Sequence, residues 1–168
     1  QPVVSPDGEW LAFLRDRTEL VIKSTKDGKE KSLLKDVNYS YSDGDQEFAW
    51  SPDSKHLLCN YQINGGWNNS DGALIDIETG EITNLTQSGY SDGNFKWALK
   101  GKAMVWQSDK DGYRSHGSWG AENDIYIMFF DGKEMTRFYR DKEDAEIAKA
   151  IEDGDKSEKK LEKEEKKE

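Results

Sequence analysis

The chain is poor in the residues that build disulfides, metal centres and membrane spans. It holds one cysteine, Cys59, and two histidines, His56 and His116, among 168 residues. A lone cysteine closes no internal disulfide, and so few soft donors supply no zinc-type ligand set. No metal and no cofactor is therefore expected. Cys59 sits in an apolar run, where burial is the usual role of a free thiol. No apolar run approaches the roughly 18 residues of a membrane-spanning helix. Positive charge is also short: 24 basic residues face 34 acidic ones, a net charge of −10. An acidic surface repels phosphate backbones, which argues against nucleic acid as a partner. No leader sequence is visible, and Gln1-Pro2-Val3-Val4 enters directly into a repeat, which reads as a cut through a longer protein.

Prolines and aromatics are unevenly spread. All three prolines and all 19 aromatic residues lie before residue 140. From Asp141 to Glu168 acidic side chains outnumber basic ones by 12 to 8, with no aromatic among them. Such a run buries too little apolar surface to offset its ordering entropy, so it reads as a disordered or helical spacer. Ala145, Ile147, Ala148, Ala150 and Ile151 suffice for one short helix over 143–151, with Gly154 as its stop.

What the first 140 residues do contain is a pattern that occurs three times. Ser5-Pro6-Asp7-Gly8 and Ser51-Pro52-Asp53-Ser54 are matching turns, and Ala98-Leu99-Lys100-Gly101 is a degraded third copy. Proline presets φ at the second turn position, while the flanking Ser and Asp bond nearby amides. An apolar strand follows each turn, at 10–14, 56–61 and 103–106, and then a second at 19–22, 73–77 and 124–130. Gly28, Gly80 and Gly132, each 52 residues after the last, mark hairpins into charged outer strands at 29–34, 81–86 and 133–139. Near-continuous apolar strands suit packing on both faces, and this period with several short strands per repeat predicts propeller blades.

The expected fold is all-β: a partial β-propeller of three four-stranded antiparallel blades, at about 1–36, 45–87 and 93–140, with a charged tail over 141–168. Two matching connectors, Tyr41-Ser-Asp-Gly44 and Tyr90-Ser-Asp-Gly93, join the blades. Propellers typically close with at least four blades. The three blades therefore require further blades in the parent chain, or association with other copies as a homo-oligomer.

Two long insertions interrupt the second and third blades, over 62–72 and 107–123. Loops on a rigid scaffold are where function concentrates. Trp67, Tyr113, Arg114, His116 and Trp119 lie in them and are the candidate peptide-facing residues. The aromatics offer apolar surface to an extended peptide, and Arg114 offers a fork for a carboxylate. Burial between blades is the alternative role for the aromatics. His116-Gly-Ser-Trp-Gly120 approximates a nucleophile elbow, but that motif needs a strand-to-helix turn, and this segment joins two strands. Its expected role is to shape the loop, and no catalytic residue is assigned. Asp109-Lys-Asp-Gly112 starts like a calcium loop but lacks the later ligands, so it reads as a turn.

The Trp50-Ser-Pro-Asp-Ser-Lys55 and Ser5-Pro-Asp-Gly-Glu9 boxes resemble the repeats of the Tol-system periplasmic propeller and of tricorn-type peptidases. The run from Ser88-Gly-Tyr-Ser-Asp-Gly93 through Arg114-Ser-His-Gly-Ser-Trp-Gly120 to Asp124-Ile-Tyr-Ile-Met-Phe-Phe-Asp-Gly132 is similar to the propeller of tricorn-like serine peptidases from Bacteroidetes-type bacteria. That resemblance implies a non-catalytic segment of an exported, periplasmic or otherwise extracytoplasmic serine peptidase. Such a segment filters peptides or unfolded polypeptide, or supports assembly, beside the remaining blades and the catalytic domains of its parent. The alternative is a Tol-like protein-binding module with no enzyme attached. A prolyl-oligopeptidase-type propeller would look alike at this level.

Overall fold

The computed structural model describes residues 2–37, 47–62, 69–114 and 120–165. It resolves into two compact units, Gln1–Phe130 and Asp131–Glu168.

The first unit is built of three antiparallel sheets. β1 (Val3–Val4), β2 (Trp10–Arg15), β3 (Glu19–Ser24) and β4 (Glu30–Lys35) form the first in chain order. β5 (Phe48–Trp50), β6 (His56–Tyr61), β7 (Asp71–Asp76) and β8 (Ile82–Asn84) form the second. β9 (Asp92–Ala98), β10 (Ala103–Ser108) and β11 (Asp124–Phe129) form the third. Register is the same in each: Val3 pairs with Ala12, Ala49 with Leu58 and Lys96 with Val105.

The repeated turns form as their chemistry dictates. Ser5 Oγ donates to Asp7 Oδ1 at 2.6 Å and accepts from the Trp10 amide at 3.0 Å. In the second blade Ser51 Oγ donates to Asp53 Oδ1 at 2.6 Å and accepts from the His56 amide at 2.9 Å. The third turn has neither Ser nor Asp. It is a 3₁₀ turn, Leu99–Gly101, with all three residues at positive φ. Neighbouring turns also touch, since the Asp7 amide donates to Ser54 Oγ at 3.1 Å.

Alternation along the middle sheet explains the stacking. Successive side chains of a strand point to opposite faces. Leu57, Cys59, Ala73 and Ile75 turn one way and pack with Ala12, Leu20 and Ile22 of the first sheet. Leu58 and Leu74 turn the other way and meet Phe95, Trp97 and Met104 of the third. The middle sheet is thus buried on both faces, as the near-continuous apolar runs require. Cys59 is fully buried, and loss of hydration pushes its thiol up to about 12.

Two expectations are corrected in the second unit. The segment 133–139 is not the outer strand of the third blade but helix α1 (Gly132–Phe138). Asp131 caps it, accepting from the Lys133 amide at 2.9 Å, and Glu134 pairs with Arg137 one turn on at 3.0 Å. Lys, Glu, Met and Arg are good helix formers, and an Asp N-cap outweighs the hairpin suggested by Asp131-Gly132. The third sheet therefore has three described strands. The tail helix is also longer than expected: α2 (Lys142–Glu165) runs through Gly154. One interior glycine costs only about 1 kcal/mol. Glu and Lys on either side sustain the helix. No described helix is long and apolar enough to cross a membrane.

Candidate functional site at the loop end of blades two and three

The Ser-Pro-Asp turns lie at one end of the sheets. At the other end the register places Tyr61 beside Asp71 and Ser108 beside both Asp92 and Asp124. The connector between the second and third blades and both long insertions emerge there.

Three buried aspartates hold this end together. Asp71 Oδ2 accepts from Asn84 Nδ2 at 2.8 Å, and its Oδ1 accepts from the Ser88 amide at 3.0 Å. Asp92 Oδ2 accepts from Ser88 Oγ at 2.6 Å, while the Asp92 carbonyl accepts from Ser70 Oγ at 2.7 Å. Asp109, with no exposed surface, accepts from the Ser91 amide at 3.0 Å through Oδ1. The connector Ser88-Gly-Tyr-Ser91 is thus clasped from both blades. These donors offset most of the cost of burying the three carboxylates, although Asp92 Oδ1 is buried with no hydrogen-bond partner among the described residues.

Arg114 completes the clasp. Its Nε lies 3.1 Å from Asp109 Oδ2, and its guanidinium sits over the Tyr90 ring at 4.9 Å. Ion pairing and the cation–π contact fix the planar fork against the connector. Beside it Tyr113 projects outward, 71% exposed. The insertion is pinched just beyond: the Glu122 amide donates to the Tyr113 carbonyl at 2.9 Å. A Cβ on Gly112 would fall 2.0 Å from the Glu122 carbonyl oxygen, so only glycine allows that approach. Asp111 Oδ2 accepts from the Tyr126 hydroxyl at 2.6 Å, and Tyr126 stacks on Trp106 with centroids 5.4 Å apart.

Of the five candidate residues, Tyr113 and Arg114 therefore fall side by side on this end. Trp67, His116 and Trp119 lie outside the described residues. Asp109 and Asp111 of the calcium-like turn are engaged by Arg114 and Tyr126, and no cluster of three metal-ligating side chains occurs among the described residues.

Sequence reading missed a second feature, at the turn end. A cleft of about 560 Å³ opens between the second and third blades over a floor of Leu74, Trp97 and Phe130. His56, 3.7 Å from Asp76 and 4.0 Å from Asp53, and Lys100 also line it. These residues come from different repeats, so only the stacking of blades brings them together.

No protein-family model matches the chain, and no curated protein does. Solved structures do. TolB from Acinetobacter baumannii is 21% identical with a TM-score of 0.55, over 79% of this chain and 30% of its own. The tricorn protease is 14% identical with a TM-score of 0.60, over 76% of this chain and 13% of its own. A structure described as a putative TolB from Agrobacterium tumefaciens is 20% identical with a TM-score of 0.51, over 77% of this chain and 44% of its own. The chain spans less than half the length of each. Stacked antiparallel sheets with equal register and this likeness identify the chain as a β-propeller module.

Proposed function

We propose that this chain is the peptide-facing propeller segment of an exported, tricorn-like serine peptidase, where it screens peptides or unfolded polypeptide for catalytic domains elsewhere in its parent. The observation that carries the reading is the pair at the loop end. Arg114 is held rigid by Asp109 and Tyr90, with exposed Tyr113 beside it. A guanidinium whose orientation is already fixed loses less entropy on meeting a peptide carboxylate, and an exposed phenol adds area cheaply. Likeness to the tricorn protease in fold supports it. A periplasmic or otherwise extracytoplasmic location belongs to the same proposal.

The second reading is a TolB-like module that docks folded partner proteins. It is favoured by the higher identity to the two TolB structures, 21% and 20% against 14%.

The two separate in one titration. Fluorescently labelled unfolded casein peptides are added to the full chain, to Tyr113→Ala and to Arg114→Lys. The proposal expects saturable binding, without hydrolysis, weakened by both substitutions. Peptides that fail to bind at any workable concentration would remove it and leave the docking module.

A further inference from the structure

We infer that the cleft at the turn end, between the second and third blades, binds a small aromatic carboxylate, its ring on Trp97 and Phe130 and its anion on Lys100. Tyr113 and Arg114 lie at the opposite end of the sheets, so the inference stands apart from the peptide-facing reading.

The cleft exists because the repeat is broken there. The Ser5 amide donates to the Trp10 carbonyl and the Ser51 amide to the His56 carbonyl, which makes Trp10 and His56 equivalent. Ile77 and Phe130 are equivalent too, their amides donating to the Lys55 and Lys102 carbonyls. On the outer strands Lys31, opposite Ile22, matches Thr83, opposite Leu74.

The boundary between the first and second blades is closed by these residues. Trp10 packs on the core there, and Lys31 Nζ reaches across to the Ile77 and Glu78 carbonyls, both at 2.8 Å. Ile77 is left 6% exposed. At the next boundary an imidazole stands for the indole and a threonine for the lysine. Both are smaller, and Phe130 is 39% exposed. The resulting space of about 560 Å³ suits one small ligand. Trp97 and Phe130, with ring centroids 5.7 Å apart, offer an aryl ring area and offset stacking. Such a ring does at this boundary what Trp10 does at the other.

Charge selects the ligand's polar end. Lys100 and Lys102 line the cleft against one carboxylate, Asp53, in a chain whose net charge is −10. Asp53 is already engaged, accepting from Ser51 Oγ at 2.6 Å and from the Lys55 amide at 3.2 Å. Asp76, beside His56, accepts from the Thr79 amide and hydroxyl at 2.7 and 2.9 Å. Lys100 has no hydrogen-bond or ion-pair partner among the described residues. Its turn is set against the second blade, since a Cβ on Gly101 would fall 3.1 Å from Pro52 Cδ. The ammonium is thus held at the rim, ready for a charge-assisted bond to an incoming carboxylate.

Calorimetric titration of the full chain with indole-3-acetate, tryptamine and a tripeptide ending in tryptophan tests this. Indole-3-acetate should bind saturably at one site, and tryptamine more weakly. Lys100→Asn, which keeps the left-handed backbone at φ 57° accessible, should weaken indole-3-acetate about tenfold. His56→Trp restores the indole of the first boundary and should abolish binding, with circular dichroism confirming the fold. No saturable binding of indole-3-acetate, a preference for tryptamine, or binding indifferent to both substitutions would each overturn the inference. A tripeptide that binds more tightly than indole-3-acetate would make a chain terminus the ligand and overturn the assignment to a small acid.

Discussion

The indole N–H of Trp97 reaches across a blade boundary to the carbonyl of Ala49, 48 residues earlier, at 3.0 Å. Trp50 makes the equivalent bond to Val3 across the preceding boundary. These bonds give a physical reason for the 47-residue spacing of the two tryptophans: each closes one blade onto the next. Trp97→Phe keeps most of the packing and removes the donor. It should cost about 0.5–1.5 kcal/mol, the net worth of one hydrogen bond, because the Ala49 carbonyl keeps its ladder partner Leu58. Urea unfolding, with Ala49 untouched, measures it. A loss indistinguishable from zero would mean that the bond only decorates the packing.

Gly72 and Phe95 meet at the next level of detail. A Cβ on Gly72 would fall 2.4 Å from the Phe95 ring, which is itself buried. Gly72→Ala should therefore destabilise by about 1–3 kcal/mol, as overpacking does. The same change in a Phe95→Leu background should cost less, because the smaller side chain concedes room. Additive penalties in the double mutant would show that the contact is not the cause.

How far the sequence announced this molecule depends on the range of the signal. The Ser-Pro-Asp turns and the apolar strands after them rest on local chemistry, so Ser5–Asp7 and Ser51–Asp53 form as read. The third blade's outer strand was inferred from the position of Gly132 in the repeat rather than from its neighbours, and Asp131 capping won locally. The helix beyond Gly154 is not legible locally, because a glycine signals a helix end, yet its cost of about 1 kcal/mol inside a helix is small enough for the Lys and Glu propensities around it to offset. At the loop end Tyr113 and Arg114 were visible as loop residues. Their anchor Asp109 reads as a turn residue, since its partner Ser91 comes from a different connector. The cleft over Trp97 and Phe130 had no linear signal at all.

Arg114 and Asp109 give a prediction on the clasp itself. Asp109 is wholly buried, while Arg114 is 40% exposed, so solvent weakens the pair without abolishing it. Arg114→Ala strands a buried carboxylate and should destabilise by more than an exposed ion pair is worth, about 1–3 kcal/mol. Asp109→Asn in the same chain should recover part of the loss, because the stranded charge disappears. Thermal unfolding of the two variants decides it; an equal or larger loss in the double variant would contradict the account.

Ser51 and Asp53 link the turn to acid stability. The Ser51 hydroxyl, above all, holds the Asp53 carboxyl below its usual 3.8, with the Lys55 amide and nearby His56 adding to it. A lowered folded value means that the contribution is present above 3.8 and is lost as pH falls through the folded value. Ser51→Ala removes the leading cause. It should cost about 1–2 kcal/mol at neutral pH, and the gap from wild type should narrow below pH 3.8. A gap that stays constant into acid would assign the cost to the Ser51–His56 amide bond alone.

Tyr126 and Asp111 set the opposite, alkaline limit. The hydroxyl donates to the Asp111 carboxylate, and that bond, aided by the negative charges of Asp111 and Asp124, pushes the phenol up to about 12. Ionising Tyr126 would both break the bond and set two anions against each other. The folded value lies above the ordinary 10.0 of a tyrosine, so the contribution is complete below pH 10 and is lost as pH rises toward 12. Difference absorbance between the wild type and Tyr126→Phe isolates this phenol from the other tyrosines. The difference should titrate near 12 in the wild type and fall back toward 10 when Asp111→Asn is introduced into both. Titration near 10 in both backgrounds would show that Asp111 does not hold the Tyr126 proton, and with it that the pinch of the loop near Gly112 stands without this bond.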